Sequence, residues 1–175
     1  TDGIQVANNS WESLYSTIGD GTTEASFRSF MGASITAAKA AIDNGTIIVF
    51  AAGNGRFVNG VRTGWNDPSW EGGLPYRISE LQDGYLTVVA VDPNNIEPRY
   101  TNRCGVAAAW CVTAPGGGDT QSTDGIYGAQ TGGGYVRYSG TSMAAPHVTG
   151  LAAVLMQKFP SLTNKQIITR IKETS

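Results

Sequence analysis

Hydrophobic positions along this chain follow two patterns, a helical spacing of three and four residues and short unbroken apolar runs. Ile4 to Asn8 is a brief β-prone run. Phe27, Phe30, Met31, Ser34, Ala37, Ala38, Ala41 and Ile42 then recur at helical intervals, which predicts one amphipathic helix. Gly45 stands where a left-handed residue would end it. Thr46 to Ala52 is continuously apolar after its first residue, as in a strand buried on both faces. Strand, helix and strand in this order predict a right-handed βαβ unit and a parallel sheet. Ligands of parallel sheets bind beyond the carboxyl ends of the strands. A site is therefore expected at Gly53-Asn54-Gly55 and Asn9-Ser10-Trp11.

Residues 55–84 show no clear period and hold Trp65, Trp70, Pro68 and Pro75. They predict one long ordered loop with a short turn of helix. Leu86 to Val91 reads as a strand ended by Asp92-Pro93-Asn94-Asn95, a strong turn signal. Trp110 to Ala114 reads as another, closed by Pro115-Gly116-Gly117-Gly118. Eight glycines between 116 and 134 require loops or a hairpin. Ser142 to Phe159 predicts an alanine-rich helix stopped by Pro160, and Thr163 with Gln166 predicts a capping box at the start of a second.

Composition narrows the class. A chain of 175 residues is the size of one domain with a single core. It holds 23 glycines, and 15% of its residues are charged, against a usual charged share of about 25%. At 41% hydrophobic residues it can bury a core, so wholesale disorder is excluded. A net charge of −2 argues against nucleic acid as a partner. No apolar run approaches the roughly 20 residues of a membrane span. The composition is that of a compact secreted protein with long ordered loops. Thr1 is not an initiator Met, and a strand lies only a few residues in, which predicts that the numbering begins inside a larger fold.

The chemistry centres on Gly140-Thr141-Ser142-Met143-Ala144-Ala145-Pro146-His147-Val148. Ser142 sits in the first turn of an apolar helix, where unpaired N–H groups and the positive end of the helix dipole would stabilise an oxyanion. Alone, such a serine is a helix cap. The nine-residue run, however, resembles the nucleophile motif of the subtilisin-like serine proteases, the subtilases. Ala51-Ala52-Gly53-Asn54 resembles that family's oxyanion-hole segment, and Asn8-Asn9-Ser10-Trp11 resembles a strand end that walls its S1 pocket. Tyr100-Thr101-Asn102, Ala114-Pro115-Gly116 and Pro160-Ser161-Leu162-Thr163 are similar to further family landmarks. The likeness runs over nearly the whole chain.

The resemblance implies an α/β fold, a three-layer sandwich on a mainly parallel sheet, incomplete at its N-terminal side. Residues 1–175 would be the C-terminal part of a single catalytic domain. Ser142 would be the nucleophile of a serine endopeptidase and Asn54 a side-chain donor of the oxyanion hole. Ser10, Trp11, Glu12, Ala51, Ala52 and Gly53 would bind substrate. The one histidine, His147, lies about 7.5 Å along the helix and roughly 140° around it from Ser142. It points away and is expected to be a packed, hydrogen-bonded core residue. The family's aspartate and base histidine lie upstream of the matching segment, so the chain alone is expected to be nearly inert, its partner a peptide or protein. The alternatives are a degenerate, non-catalytic peptide-binding or scaffold module and, more weakly, an esterase. The first strand would present an unpaired edge, inviting self-association or a partner.

Two positions depart from the family pattern. Glu12 stands where glycine is frequent, and would narrow S1 or favour basic substrate residues. Gly55 stands where many relatives carry something larger. Trp65 and Trp70 either line an extended cleft or pin their loop to the core. Cys104 and Cys111 are too few for a zinc site; a local disulfide is the first reading and free buried thiols the second. The run from Asn102-Arg103-Cys104-Gly105 to Trp110-Cys111 resembles the passenger domains of Gram-negative autotransporter subtilases, which implies secretion or display at the surface of a Gram-negative bacterium. Calcium is common in the family. Asp119 and Asp124, however, fall short of the six or more oxygens calcium takes and read as solvated turn residues, so no metal or cofactor is expected. The triple-glycine runs lack the lysine of a phosphate loop.

Overall fold

The computed structural model describes residues 3–13 and 16–174. In chain order its elements are strand β1 (Val6–Asn9), helix α1 (Glu24–Asp43), strands β2 (Ile47–Ala51), β3 (Arg56–Val58), β4 (Val61–Thr63), β5 (Tyr85–Val91) and β6 (Cys111–Pro115), the single-turn helix α2 (Gln121–Asp124), strands β7 (Ile126–Ala129) and β8 (Tyr135–Tyr138), and helices α3 (Thr141–Lys158) and α4 (Asn164–Glu173). The main sheet has the order β1-β2-β5-β6, and every pairing in it is parallel.

β2 explains the layering. Successive side chains of a strand point to opposite faces. Ile47, Val49 and Ala51 join one core with Ala144, Val148 and Ala152 of α3 and Ile167, Ile168 and Ile171 of α4. Ile48 and Phe50 join another with Phe27 and Ile35 of α1 and Leu74, Ile78 and Leu81. Both faces are dry, so the strand is apolar throughout, at about 1.5–3 kcal/mol for each large side chain buried. The result is the expected three-layer α/β sandwich.

α1 starts three residues before its apolar stripe. Thr23 caps it, its Oγ1 accepting from the Ser26 N–H at 3.2 Å, and Gly45 at φ 88° follows its C-cap Asn44. The capping box of α4 forms as expected: the Gln166 N–H donates to Thr163 Oγ1 at 3.3 Å and the Thr163 N–H to Gln166 Oε1 at 2.9 Å.

The stretch 55–84 is more structured than a single loop. β3 and β4 form an antiparallel hairpin turning at Asn59-Gly60, both with positive φ, 50° and 78°. Asn-Gly is the preferred two-residue hairpin turn. At the hairpin's base a Cβ on Gly55 would lie 2.0 Å from the Thr63 carbonyl oxygen, so only glycine fits. Two 3-10 turns follow, Leu74–Tyr76 and Ser79–Gly84. Trp70 pins this segment to α1: its ring meets Phe27 edge-on at 5.3 Å and its Nε1 donates to Asp20 Oδ2 at 2.8 Å. Trp65 instead lies under the Arg56 guanidinium at 4.4 Å.

Trp110 is not in a strand but closes the 3-10 turn Gly105–Trp110. Cys104 and Cys111 are disulfide-bonded across it, with Cα atoms 5.7 Å apart. Within 116–134 the glycine-rich chain makes the first arm of the β7–β8 hairpin and the turn leading to the second. Among the described residues β1 pairs on one edge only, and no helix is long and apolar enough to cross a membrane.

Candidate active site

The carboxyl ends of β1 and β2 and the first turn of α3 meet at one end of the sheet. Ser142, second in α3, is half-buried. Its Oγ donates to the Ser10 carbonyl at 3.1 Å, and Ser10 Oγ donates back to the Ser142 carbonyl at 2.9 Å. This reciprocal pair ties the segment after β1 to the helix start. In the first turn the Ser142 N–H has no carbonyl of its own helix to meet, and it lies at the positive end of the helix dipole.

Asn54 follows β2 and is held by Thr141. The Thr141 N–H donates to Asn54 Oδ1 at 2.8 Å. Thr141 Oγ1, fully buried, donates to the same oxygen at 3.1 Å and accepts from the Gly53 N–H at 3.1 Å. With Oδ1 facing Thr141, the amide directs Nδ2 the other way, to Glu12 Oε1 at 3.3 Å. The Asn54 N–H also donates to the Glu12 carboxylate, at 2.9 and 3.2 Å. Glu12 therefore does not simply narrow a pocket; its carboxylate sits on two donors of Asn54. Burial raises its pKa above the ordinary carboxylate value. The Asn54 hydrogen bonds and the nearby Arg62 oppose that rise, and Glu71 adds to it.

Gly53 makes the turn possible. Its φ is 105°, and a Cβ there would fall 2.3 Å from Glu12 Oε2 and 2.5 Å from Asn102 Nδ2. Ala51 and Ala52 are buried. The Ala52 carbonyl accepts from the Ser69 N–H at 2.8 Å and from Asn102 Nδ2 at 3.0 Å. Trp11 is 56% exposed, its ring edge against Phe50 at 4.8 Å.

Two supporting residues carry roles that sequence reasoning missed. Asn102, 1% exposed, also donates its N–H to the Gly53 carbonyl at 2.9 Å and accepts from the Trp65 N–H at 2.9 Å. It braces the turn before Asn54. Its place in Tyr100-Thr101-Asn102 marked the residue but not that function. Glu71, 5% exposed, accepts from the N–H of Ser13 at 3.1 Å and from its hydroxyl, fixing the chain just past Glu12. No sequence signal pointed to it.

His147 is exposed, contrary to the expected core position. Its Nδ1 lies 2.9 Å from the Met143 carbonyl, one turn back on its own helix. The motif helix is apolar nearly all round, so the sequence does not reveal which side faces outward. Asp119 also departs from expectation: it binds Arg99, accepting from Nε at 2.9 Å and from the backbone N–H at 2.9 Å. Asp124 accepts from Thr123 Oγ1 at 2.8 Å. Among the described residues no group of three or more His, Cys, Asp or Glu side chains could hold a metal ion.

Two cavities are prominent. The larger, about 880 Å³, lies at the amino ends of the strands around Gln5 and Gly45 and shares no residue with this site. The smaller, about 540 Å³, is lined by Asn54 itself. Parallel sheets place their chemistry at the carboxyl ends of strands, which favours the smaller.

Comparison with known proteins bears on this geometry. The model of the subtilase family matches residues 1–175. An extracellular serine protease of Serratia marcescens is 39% identical over 148 residues, which is 75% of this chain and 13% of that protein. The Neisserial autotransporter lipoprotein NalP of Neisseria meningitidis serogroup B is 32% identical over 116 residues, 58% of this chain and 10% of that protein. Among solved structures, a protease from Pseudoalteromonas arctica superposes with a TM-score of 0.70 at 26% identity, covering 100% of this chain and 47% of that one. The chain thus spans only a small part of these curated relatives and about half of the solved structure.

Proposed function

This chain belongs to the subtilase family, and on that premise we propose that it carries the nucleophile and the oxyanion site of a secreted serine endopeptidase. The observation that carries the reading is the lock between Thr141 and Asn54 beside Ser142. Ser142 Oγ attacks the scissile carbonyl carbon, and the carbonyl π electrons move onto oxygen. Asn54 Nδ2 and the Ser142 N–H receive that oxyanion. The tetrahedral adduct collapses, the amine leaves with a proton, and water later releases the acyl group from Ser142.

A base must take the Ser142 proton, and the Ser10 carbonyl that now accepts it is not one. His147 is turned to its own helix. In this reading the base histidine and its aspartate come from polypeptide other than this chain, and the chain alone is nearly inert. In subtilisin, itself of this family, removing the base lowers kcat by on the order of 10⁶. The chemistry invokes no metal or cofactor. Glu12, standing on Asn54, favours a basic residue on the amino side of the scissile bond. The Serratia and Neisseria relatives support secretion or surface display in a Gram-negative bacterium. The single-sided pairing of β1 supports association through that edge, with a second copy or with the remainder of the domain.

A carboxylate on the Asn54 donors also favours a second reading, a degenerate peptide-binding module. Fluorophosphonate labelling read by intact mass separates the two. The isolated chain gives no adduct. Supplying the polypeptide that brings a histidine to Ser142 gives a single adduct, lost in Ser142→Ala. An adduct that survives Ser142→Ala overturns the nucleophile assignment, and no adduct in the completed site leaves the degenerate module.

A further inference from the structure

We propose that the cavity beside Asn54 is a carboxylate-binding subsite, built on Arg62 and Arg99, that selects an acidic residue on the leaving-group side of the scissile bond. The proposal rests on the endopeptidase reading and extends it to the substrate.

The cavity lies between the β3–β4 hairpin and the loop at Gly118, and Asn54, Phe57, Arg62, Arg99, Tyr100 and Ser139 contribute to its wall. Its position relative to the chemistry is fixed at two points. Ser139 is three residues before Ser142. Asn54 turns its N–H and Nδ2 to Glu12 but its carbonyl to Arg62 Nε, at 2.9 Å. On the endopeptidase reading, a substrate lying along Ser10 to Glu12 on its amino side would continue past Ser142 toward this second flank of Asn54.

The charge in the cavity is unbalanced. Arg99 is matched by Asp119, also in the wall, through two hydrogen bonds. Arg62 is not matched. Its Nε is taken by the Asn54 carbonyl and its Cζ lies 5.3 Å from the centre of the Phe57 ring, while among the described residues no carboxylate is in ion-pair contact with it. Glu12, on the other flank of Asn54, is near enough to interact with Arg62 but stands outside the cavity, whose own wall carries two guanidiniums and one carboxylate. The free terminal nitrogens of an arginine held at Nε present the planar fork that binds carboxylates in pairs of hydrogen bonds.

A second observation points to a ligand independently of charge. Ser139 Oγ is buried and has no hydrogen-bond partner among the described residues. Buried hydroxyls are nearly always satisfied, and leaving one unpaired is costly. Ser139 lines the cavity while its Oγ faces Gly117, so a turn about χ1 would bring the hydroxyl to an oxygen entering there. Phe57 and Val61, 68% and 43% exposed, add an apolar wall suited to the methylenes of a Glu or Asp side chain. A polypeptide substrate supplies its own anions as these side chains, which makes a carboxylate the ligand this site fits.

The test uses the Ser142→Ala chain, which cannot turn over substrate, and two acetylated, amidated hexapeptides. Both carry lysine at position three; one has aspartate at position five and the other asparagine. Binding is read by tryptophan fluorescence and by the Nε–H resonance of Arg62. The aspartate peptide is expected to bind about tenfold more tightly, the scale of one charge-assisted pair at a partly exposed site. Arg62→Gln should abolish that preference, Arg62→Lys should keep part of it, and 0.5 M salt should compress it. Equal binding of the two peptides, or a preference that survives Arg62→Gln, overturns the subsite. Either result leaves the Ser142 assignment to the fluorophosphonate experiment, and a preference found where the completed site takes no adduct upholds the subsite while removing the nucleophile.

Discussion

The Thr141 N–H donates to Asn54 Oδ1 at 2.8 Å across 87 positions of sequence, with Thr141 Oγ1 on the same oxygen at 3.1 Å. An amide with its oxygen so occupied has one direction left for its Nδ2. That direction is toward the segment carrying Ser10 and Glu12, where a substrate carbonyl would lie. The helix that presents Ser142 thus also orients the neighbouring donor, and the two cannot be set independently.

Thr141→Val tests this coupling. Valine keeps the shape but removes Oγ1, leaving the buried Gly53 N–H without an acceptor. The cost is about 1–3 kcal/mol of folding stability, measured by urea unfolding. A variant as stable as the parent would contradict the coupling.

Asn54→Ala addresses the chemistry. In the completed site it should lower kcat by about 10²–10³, a magnitude known from subtilisin, itself of this family. KM should change little, because the oxyanion exists only after attack. A matched loss in KM with kcat unchanged would make Asn54 a binding residue instead.

Glu12→Gln is read against pH. Burial raises the folded-state value of Glu12 above its ordinary 4.5. Its contribution to stability is then full below 4.5 and is lost as pH climbs through the raised folded value. Glutamine does not titrate, and all other groups cancel in the difference. The variant should gain stability relative to the parent as pH climbs from 4 to 8 through the raised folded value. Equal differences at both pH values would show that Glu12 feels no burial.

Replacing Cys104 and Cys111 together by serine opens a loop of sequence separation 7. The chain-entropy estimate for so short a loop is about 2.5 kcal/mol. The loss should appear as a lower urea midpoint with the slope nearly unchanged. A midpoint equal to the parent's would place the bridge outside the cooperative fold.

Where physical signals are local, the chain reveals its own architecture. The double-sided burial of β2 is written in its unbroken apolar run, and the start of α4 in Thr163 and Gln166. The Gly-Thr-Ser run marks the end of the sheet at which β1 and β2 finish. The hairpin of β3 and β4 escaped because strands of three residues are too short to display a period, although Asn59-Gly60 carried the turn signal. Asn102 and Glu71 escaped for a different reason. Their partners lie 50 and 58 positions away, and nothing in a single sequence joins them. Glu12 was visible as an oddity, but its bond to Asn54, 42 positions on, is a tertiary fact.

The hairpin has one more property. It leaves and rejoins the core at nearly the same point, with Gly55 against the Thr63 carbonyl and the Gly64 N–H on the Arg99 carbonyl at 2.7 Å. Such a piece behaves as an interchangeable cassette. Its tip can diversify while Arg62 keeps its bond to the Asn54 carbonyl, so relatives built on the same sheet can differ in the surface they present beside Ser142.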